Sequence, residues 1–322
     1  MAALYLYINH FNKERGGFQS IFANAIFQLN RSIQIYLQRK KHLQVDNEWR
    51  PSAICISADS LKRDQVFKLL NWISHRYGFG TYIHLIPGYF SKSTHQKAKE
   101  ELQELIFRSN AENSKIYIDT LISPSYTSAI AQSIQLPGVA GMENNMVIFE
   151  YDKESNDNLL NIIDNYALVR AGDFDVCIMG SSQRNINYHN GIHIWIKSTD
   201  YDNANLMVLM SFIILGHPDW SHSTIKIFEI SPIAKVDETR RMLEDLVKSG
   251  RLPITIYNIE IIPEQEGVHV KSIINQHSSN AGLTILGFRS ELLKHNGEEL
   301  FEGLDQLATV LFVNSHKQIG ID

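Results

Sequence analysis

From Arg50 onward the chain alternates short apolar runs with longer amphipathic ones, and this alternation restricts the fold more than any other feature of its 322 residues. SAICIS (Ser52 to Ser57), TYIHLIPG, KIYIDTLIS, MVIFEY and FDVCIMGS have the composition of strands. Between them, DSLKRDQVFKLLNWISHRYG (Asp59 to Gly78), SKSTHQKAKEELQELIFRSN, SYTSAIAQSIQL and NDNLLNIIDNYALVRAG carry apolar side chains at helical spacing. Strands separated by helices join through right-handed crossovers, so Arg50 to about Ser182 should form a mainly parallel sheet with helices on both faces. The polar stretch SSQRNINYHN (Ser181 to Asn190) then breaks the rhythm. GIHIWIKS, TIKIFEIS, ITIYNIEIIP, GLTILGF and TVLFVN repeat it, with helices between, one of them near Val268 to Gln276. The expected fold is α/β: two Rossmann-like, mainly parallel sheets preceded by an N-terminal helical linker, with segments 1–47, 48–185 and 186–322 as linker, first subdomain and second subdomain. Two halves of one pattern are compatible with a distant duplication.

One apolar run, LMVLMSFIILG (Leu206 to Gly216), raises the question of a membrane. A spanning helix needs about 20 apolar residues, and this run is bounded by Asp202 and Asn205 on one side and His217, Pro218 and Asp219 on the other. A helix buried on most sides of an α/β domain is the expected structure. With 44% apolar and 20% charged residues the chain can build a large core and remain water-soluble, and a net charge of −5 with interspersed signs argues against nucleic acid as a partner. Cys55 and Cys177 lie in apolar strands as small hydrophobes, which suits a reducing cytoplasm. MAALYLYINHFNKER lacks the basic n-region and cleavage pattern of a signal peptide. It fits an intact protein, and equally a fragment cut after a last membrane helix, with Lys13, Arg15, Arg39, Lys40 and Lys41 facing the cytoplasm.

Before the first strand, Gly17 to Leu43 carries Phe18, Ile21, Phe22, Ile26, Leu29 and Ile33 at the spacing of one or two amphipathic helices. Such a face must be covered by its own domain or by a partner chain.

Ligands of wound sheets bind beyond the carboxyl ends of strands. Asp59 follows the first strand, Gly180, Ser181 and Ser182 close the last strand of the first half, and Gly287 and Arg289 hold the corresponding place in the second. Small residues there let backbone N–H groups approach a phosphate, although with no GxGxxG or GxxxxGK[ST] they equally form plain turns. The histidine pairs His189/His193 and His217/His222 lack neighbouring carboxylate or thiol ligands, so no metal is expected. There is no GxSxG elbow, and Glu100/Glu101 and Glu298/Glu299 lie on helical stretches with an apolar opposite face, as solvated surface does. Regular architecture without a reaction centre points to a scaffold, a regulatory module or a dimerisation domain rather than an enzyme.

NEWRPSAICIS (Asn47 to Ser57) resembles the stretch that opens the cytosolic C-terminal domain of cation-chloride cotransporters, within the amino acid-polyamine-organocation superfamily. GIHIWIKSTDYDNANLMVLMSFIILGHPDWSHSTIKIFEI is similar to a later stretch of that domain, and GGFQSIFANAIFQLNRS resembles the linker helix that joins it to the last membrane helix. The likeness covers nearly the whole chain, with Trp49-Arg50-Pro51 its most specific element. STDYDNANL departs from the family's acidic-glycine turn, and the long phospho-regulated insertion of animal members is missing, which suits a prokaryotic member. The resemblance implies a regulatory cytosolic domain at the cell membrane that binds no ion itself. It further implies a homodimer formed partly through Phe18, Ile21, Phe22, Ile26 and Leu29, while a transmembrane transport domain of the same polypeptide carries Na⁺, K⁺ and Cl⁻ by symport. AICISADS and FDVCIMGSSQRN also look like the nucleotide-binding elements of universal stress proteins, which implies a soluble sensor holding ATP at Asp59, Gly180, Ser181 and Ser182. That family's full glycine spacing is missing after Gly180.

Overall fold

In the computed structural model, residues 17–40, 49–60, 63–139, 143–197, 201–249, 255–264, 267–317 and 319 are described. They fall into two units, one built on the N-terminal helix with Pro137–Glu143, the other comprising all the strands. The N-terminal segment is one continuous helix of 24 residues, α1 (Gly17–Lys40). Phe22, Ile26 and Leu29 are exposed on it, whereas the side chains of Phe18 and Ile21 lie outside the described residues. Within this unit, Gln34 Nε2 donates to the Val139 carbonyl at 3.1 Å.

The first half of the other unit contains β1 (Ser52–Ser57), α2 (Gln65–Ser74), β2 (Phe79–Pro87), α3 (Lys92–Ala111), β3 (Tyr117–Ser123), α4 (Tyr126–Gln135), β4 (Met146–Asp152), α5 (Leu159–Arg170) and β5 (Asp175–Ser181). The second contains β6 (Ile192–Ile196), α6 (Tyr201–Leu215), β7 (Ile225–Ser231), α7 (Val236–Ser249), β8 (Ile259–Pro263), α8 (Val270–Ser278), β9 (Leu283–Gly287), α9 (Ser290–Asn296) and β10 (Val310–Asn314). All ten strands form one sheet in the order β3-β2-β1-β4-β5-β10-β9-β6-β7-β8. Each half therefore repeats a single order, third, second, first, fourth and fifth strand. Every ladder is parallel except that between β5 and β10, where Val176 to Gly180 run antiparallel to Asn314 to Val310. Because of that inversion, the carboxyl ends of the two sets of strands lie at opposite edges of the sheet.

The near-continuous apolar strands follow from burial on both faces. Alternate residues separate: Cys55, Cys177, Leu311 and Val313 pack with α2 and α6, while Ile54, Val176, Ile178 and Phe312 pack with α4, α5 and α8. The apolar run of α6 is thus a core element, with Leu206, Met210 and Ile214 fully buried. No described helix is long and apolar enough to cross a membrane. Both cysteines are buried free thiols, and desolvation pushes each pKa up.

One ten-stranded sheet stands in place of the two sheets expected from the sequence, because β5 and β10 pair across the halves, and two elements also differ in their bounds. Helix α2 begins at Gln65 rather than near Asp59, because Asp59 turns to hold Arg63 at 2.6 Å while its amide donates to Ser57 Oγ. Among the described residues of ITIYNIEIIP only Ile259–Pro263 is strand; Asn258 Oδ1 accepts from the amide and hydroxyl of Thr255, closing a 3₁₀ turn over Ile256–Asn258.

Side chains pin both ends of the antiparallel seam. At one end Lys153 Nζ donates to the carbonyls of Leu307 (2.6 Å) and Leu304 (3.0 Å), and Thr309 Oγ1 donates to Gln65 Oε1 (3.1 Å). At the other, Tyr166 Oη donates to Asn314 Oδ1 (2.7 Å), and Asp175 accepts from the His316 amide (2.7 Å) and from the Trp49 indole (3.2 Å). Trp49 of the Trp-Arg-Pro element thus ties the chain's entry into β1 to the seam. Because Leu311 is fully buried on β10 against the first half, Leu311→Ala should cost about 2–5 kcal/mol. Urea unfolding followed by both tryptophan fluorescence and circular dichroism is expected to show one transition at lower urea; a second half that melts separately would contradict a shared core.

Candidate functional site

In the order β3-β2-β1-β4-β5 the connections leave β1 and β4 in opposite directions, which opens a crevice at their carboxyl ends. A cavity of ≈ 390 Å³ lies there, lined by Ser57, Pro87 and Ser123 at the ends of β1, β2 and β3, by Asp59 after β1, and by Asp157 and Asn158 after β4. The turn after β4 takes its shape from Asn156 and Asn158, both at positive φ, a conformation asparagine tolerates. Asn158 Nδ2 donates to the Glu150 carbonyl at 2.9 Å, and Tyr126 Oη donates to the Ile56 carbonyl at 3.1 Å.

Arg63 stands between two acids, its Nη2 at 2.6 Å from Asp59 and 3.3 Å from Asp157. These charges raise the guanidinium pKa against the opposing effect of burial. The Ser123 hydroxyl lines the cavity and is buried without a hydrogen-bond partner. Carboxylates, amide oxygens and a spare hydroxyl suit a ligand rich in hydrogen-bond donors, such as a sugar or an amine. A polyphosphate would meet Arg63, already shared by two carboxylates.

Gly180, Ser181 and Ser182 end the neighbouring β5 but do not line this cavity. Their donors are engaged: Ser181 Oγ on Glu150, the Ser182 amide on Gln65 Oε1 at 3.3 Å, and Ser182 Oγ on Glu154 at 3.0 Å. A Cβ at Gly180 would stand 2.8 Å from the Tyr151 hydroxyl, so the glycine admits that ring rather than a ligand. Glu150 is the buried acid of this region; burial raises its pKa, Ser181 and Arg63 oppose the rise, and its Oε2 has no hydrogen-bond partner. Sequence reasoning passed over Glu150, although a lone acid inside MVIFEY was the available signal. For Arg63 the signal was its place four residues after Asp59, whereas Asp157 carried none, since only the fold brings it to Arg63.

Glu101 departs from the solvated-surface expectation: its Oε2 lies 2.5 Å from His84 Nε2, and His84 Nδ1 lies 2.6 Å from Ser60 Oγ. Hydroxyl, imidazole and carboxylate thus stand in the order a nucleophilic site uses. Ser60, however, is 5% exposed, points its hydroxyl also at the Ser57 carbonyl, and does not line the cavity. The arrangement satisfies both nitrogens of a histidine buried in β2.

The histidine pairs also separate. His193 is buried in β6 and His189 is exposed; His217 accepts from the Asp219 amide at 3.2 Å and His222 is exposed. Among the described residues no group of three or more His, Cys, Asp or Glu could hold a metal ion.

No family model matches the chain, and no curated protein matches it. Solved structures do share its fold. The cytoplasmic domain of a prokaryotic cation chloride cotransporter is 16% identical, with a TM-score of 0.55 over 85% of this chain and 98% of that one. A universal stress protein from Archaeoglobus fulgidus DSM 4304 is 10% identical, with a TM-score of 0.52 over 82% and 98%. A putative universal stress protein from Pseudomonas aeruginosa UCBPP-PA14 is 15% identical, with a TM-score of 0.50 over 81% and 92%.

The Ser278 hydroxyl, 2.9 Å from both the Trp195 indole and His193 Nδ1, accepts from the first and so has its own proton for the second. That bond requires a neutral ring. Burial, aided by Lys226 and His277, lowers the His193 pKa from 6.5 to about 4. The unfolded chain protonates first as the pH falls, so this contribution to stability is intact above about 6.5 and is lost progressively toward 4. Between about pH 7 and about pH 4.5 the loss from this group should be roughly 2–3 kcal/mol, and the unfolding free energy of His193→Asn from urea melts should fall by that much less than that of the parent.

Proposed function

We propose that the chain is the regulatory and dimerising cytosolic domain of a cation-chloride cotransporter-like membrane protein and has no catalytic activity of its own. The observation that carries this reading is the extent of the fold likeness, which takes in 98% of the cotransporter domain and 85% of this chain. It is supported by α1, whose Ile26 and Leu29 are 64% and 62% exposed. A contiguous apolar helix face is an association surface in most soluble proteins, and a linker helix between a membrane region and a paired domain gives it an occupant. On this reading Phe18, Ile21, Phe22, Ile26 and Leu29 pair with a second copy, and the transport region of the same polypeptide moves the ions.

A second reading, a nucleotide-binding sensor of the universal stress type, is favoured by the crevice between β1 and β4, with Asp59 on its wall and the unpartnered Ser123 hydroxyl beside it. The engaged donors of Gly180, Ser181 and Ser182 weigh against its phosphate half.

Light scattering of the purified chain at about 100 µM should give twice the chain mass, and Ile26→Asp with Leu29→Asp should return it to the monomer. A parent chain monomeric at that concentration overturns the pairing. Titration calorimetry with ATP should show no saturable heat; micromolar binding abolished by Asp59→Ala would favour the sensor. A fluorophosphonate probe is expected to leave Ser60 unlabelled, and labelling lost in Ser60→Ala would overturn the non-catalytic assignment.

A further inference from the structure

At the opposite edge of the sheet the second half has its own switch point, between β6 and β9, where a cavity of ≈ 650 Å³ opens. Its floor is apolar and held rigid. Trp195 stacks on Phe228 with ring centroids 4.7 Å apart, and its indole N–H is fixed on Ser278 Oγ. Phe312 packs edge-on against Phe301 at 4.8 Å, and Leu286 and Phe288 complete that side. A preformed apolar hollow of this size matches the volume of a small-molecule site.

The mouth differs from the floor. Lys197 directly follows β6 and lines this cavity, whereas the cavity beyond β1 is lined by Asp59. Lys271, in the first turn of α8, also lines the cavity, and its ammonium is tethered to the carbonyls of Glu299 (2.6 Å) and Glu302 (2.7 Å). His269, which also lines the cavity, precedes α8 and its side chain does not cap the helix. Among the described residues Glu264 is the only carboxylate of the lining.

We propose that this cavity binds an amphipathic monocarboxylate, with an acyl or flat aromatic body on the Trp195, Leu286 and Phe312 floor and its carboxylate at Lys197 and Lys271. The apolar walls reject a hydrated polyphosphate, and the paired cations at one end select a single anionic head. The first half supplies neither feature. This assignment stands apart from the transporter and sensor readings, since it needs no second copy and does not involve Asp59.

Fluorescence titration of the intact chain with 8-anilinonaphthalene-1-sulfonate, an aromatic anion, tests it. Saturable binding of one probe per chain is expected, displaced by decanoate or by indole-3-acetate but not by ATP. Displacement by decanoate alone identifies an acyl ligand, and by indole-3-acetate alone an aromatic one; either supports the site. Lys197→Glu, at an exposed position, should weaken the probe about tenfold, or about 1.4 kcal/mol, with an unchanged urea midpoint. Lys197→Arg should retain binding, and Ile230→Trp, which fills the cavity, should abolish it. The proposal fails if binding is unsaturable, if Lys197→Glu and Ile230→Trp both leave it unchanged, or if ATP displaces the probe and the carboxylates do not.

Discussion

The antiparallel ladder between β5 and β10 is the interaction on which the rest of the structure depends. Each half taken alone ends in a strand buried on both faces, DVCIMGS in one and VLFVN in the other, with an unpaired edge. A long apolar edge invites indiscriminate pairing with other chains. Joining the two removes both edges and merges two five-stranded sheets into one. Register matters because a slip of one residue would exchange the faces, sending Leu311 and Val313 toward α4 and α5 and Phe312 toward α6. Lys153 and Gln65 at one end, and Asp175 and Tyr166 at the other, make such a slip costly, since each would lose a buried partner.

Local order was legible from the residues and long-range pairing was not. Apolar runs and helical spacing located the strands because period and burial are written into adjacent positions. The order of strands within each half followed only as a class, and the β5 to β10 pairing left no local trace: Val176 and Asn314 become neighbours through topology, and either strand would read the same in a parallel ladder. Where side chains compete with backbone, boundaries moved. Arg63 draws Asp59 out of the helix that its sequence position suggests, and Asn258 takes the start of an apparent strand into a turn.

The candidate sites divide in the same way. Asp59 could be found because the end of a first strand is a general binding position, whereas Ser123 and Asp157 join it from two other connections. Gly180, Ser181 and Ser182 had the composition of a phosphate turn, but Glu150 on the adjacent strand takes up the Ser181 hydroxyl. One buried acid thus converts a plausible cradle into a packed strand end. Lys197 and Lys271 drew no attention in the sequence because isolated lysines at loop ends are ordinary surface, and only the floor of aromatic rings beneath them gives them a shared object.

A repeated topology supplies two switch points, and inversion at the seam sets them at opposite edges of one sheet. Their chemistry has diverged along with their position: acids and hydroxyls at the first, an apolar hollow with two lysines at the second. Both hollows are nonetheless floored by strands of one ten-stranded sheet. A ligand that binds only the folded chain stabilises it by mass action, and where the core unfolds as a unit that stabilisation is felt by both halves. Occupancy at either edge therefore reports on the same object, the shared sheet, even though no side chain lines both cavities. On the regulatory reading proposed above, this common dependence on one seam would let a ligand held at one edge alter the stability of the other.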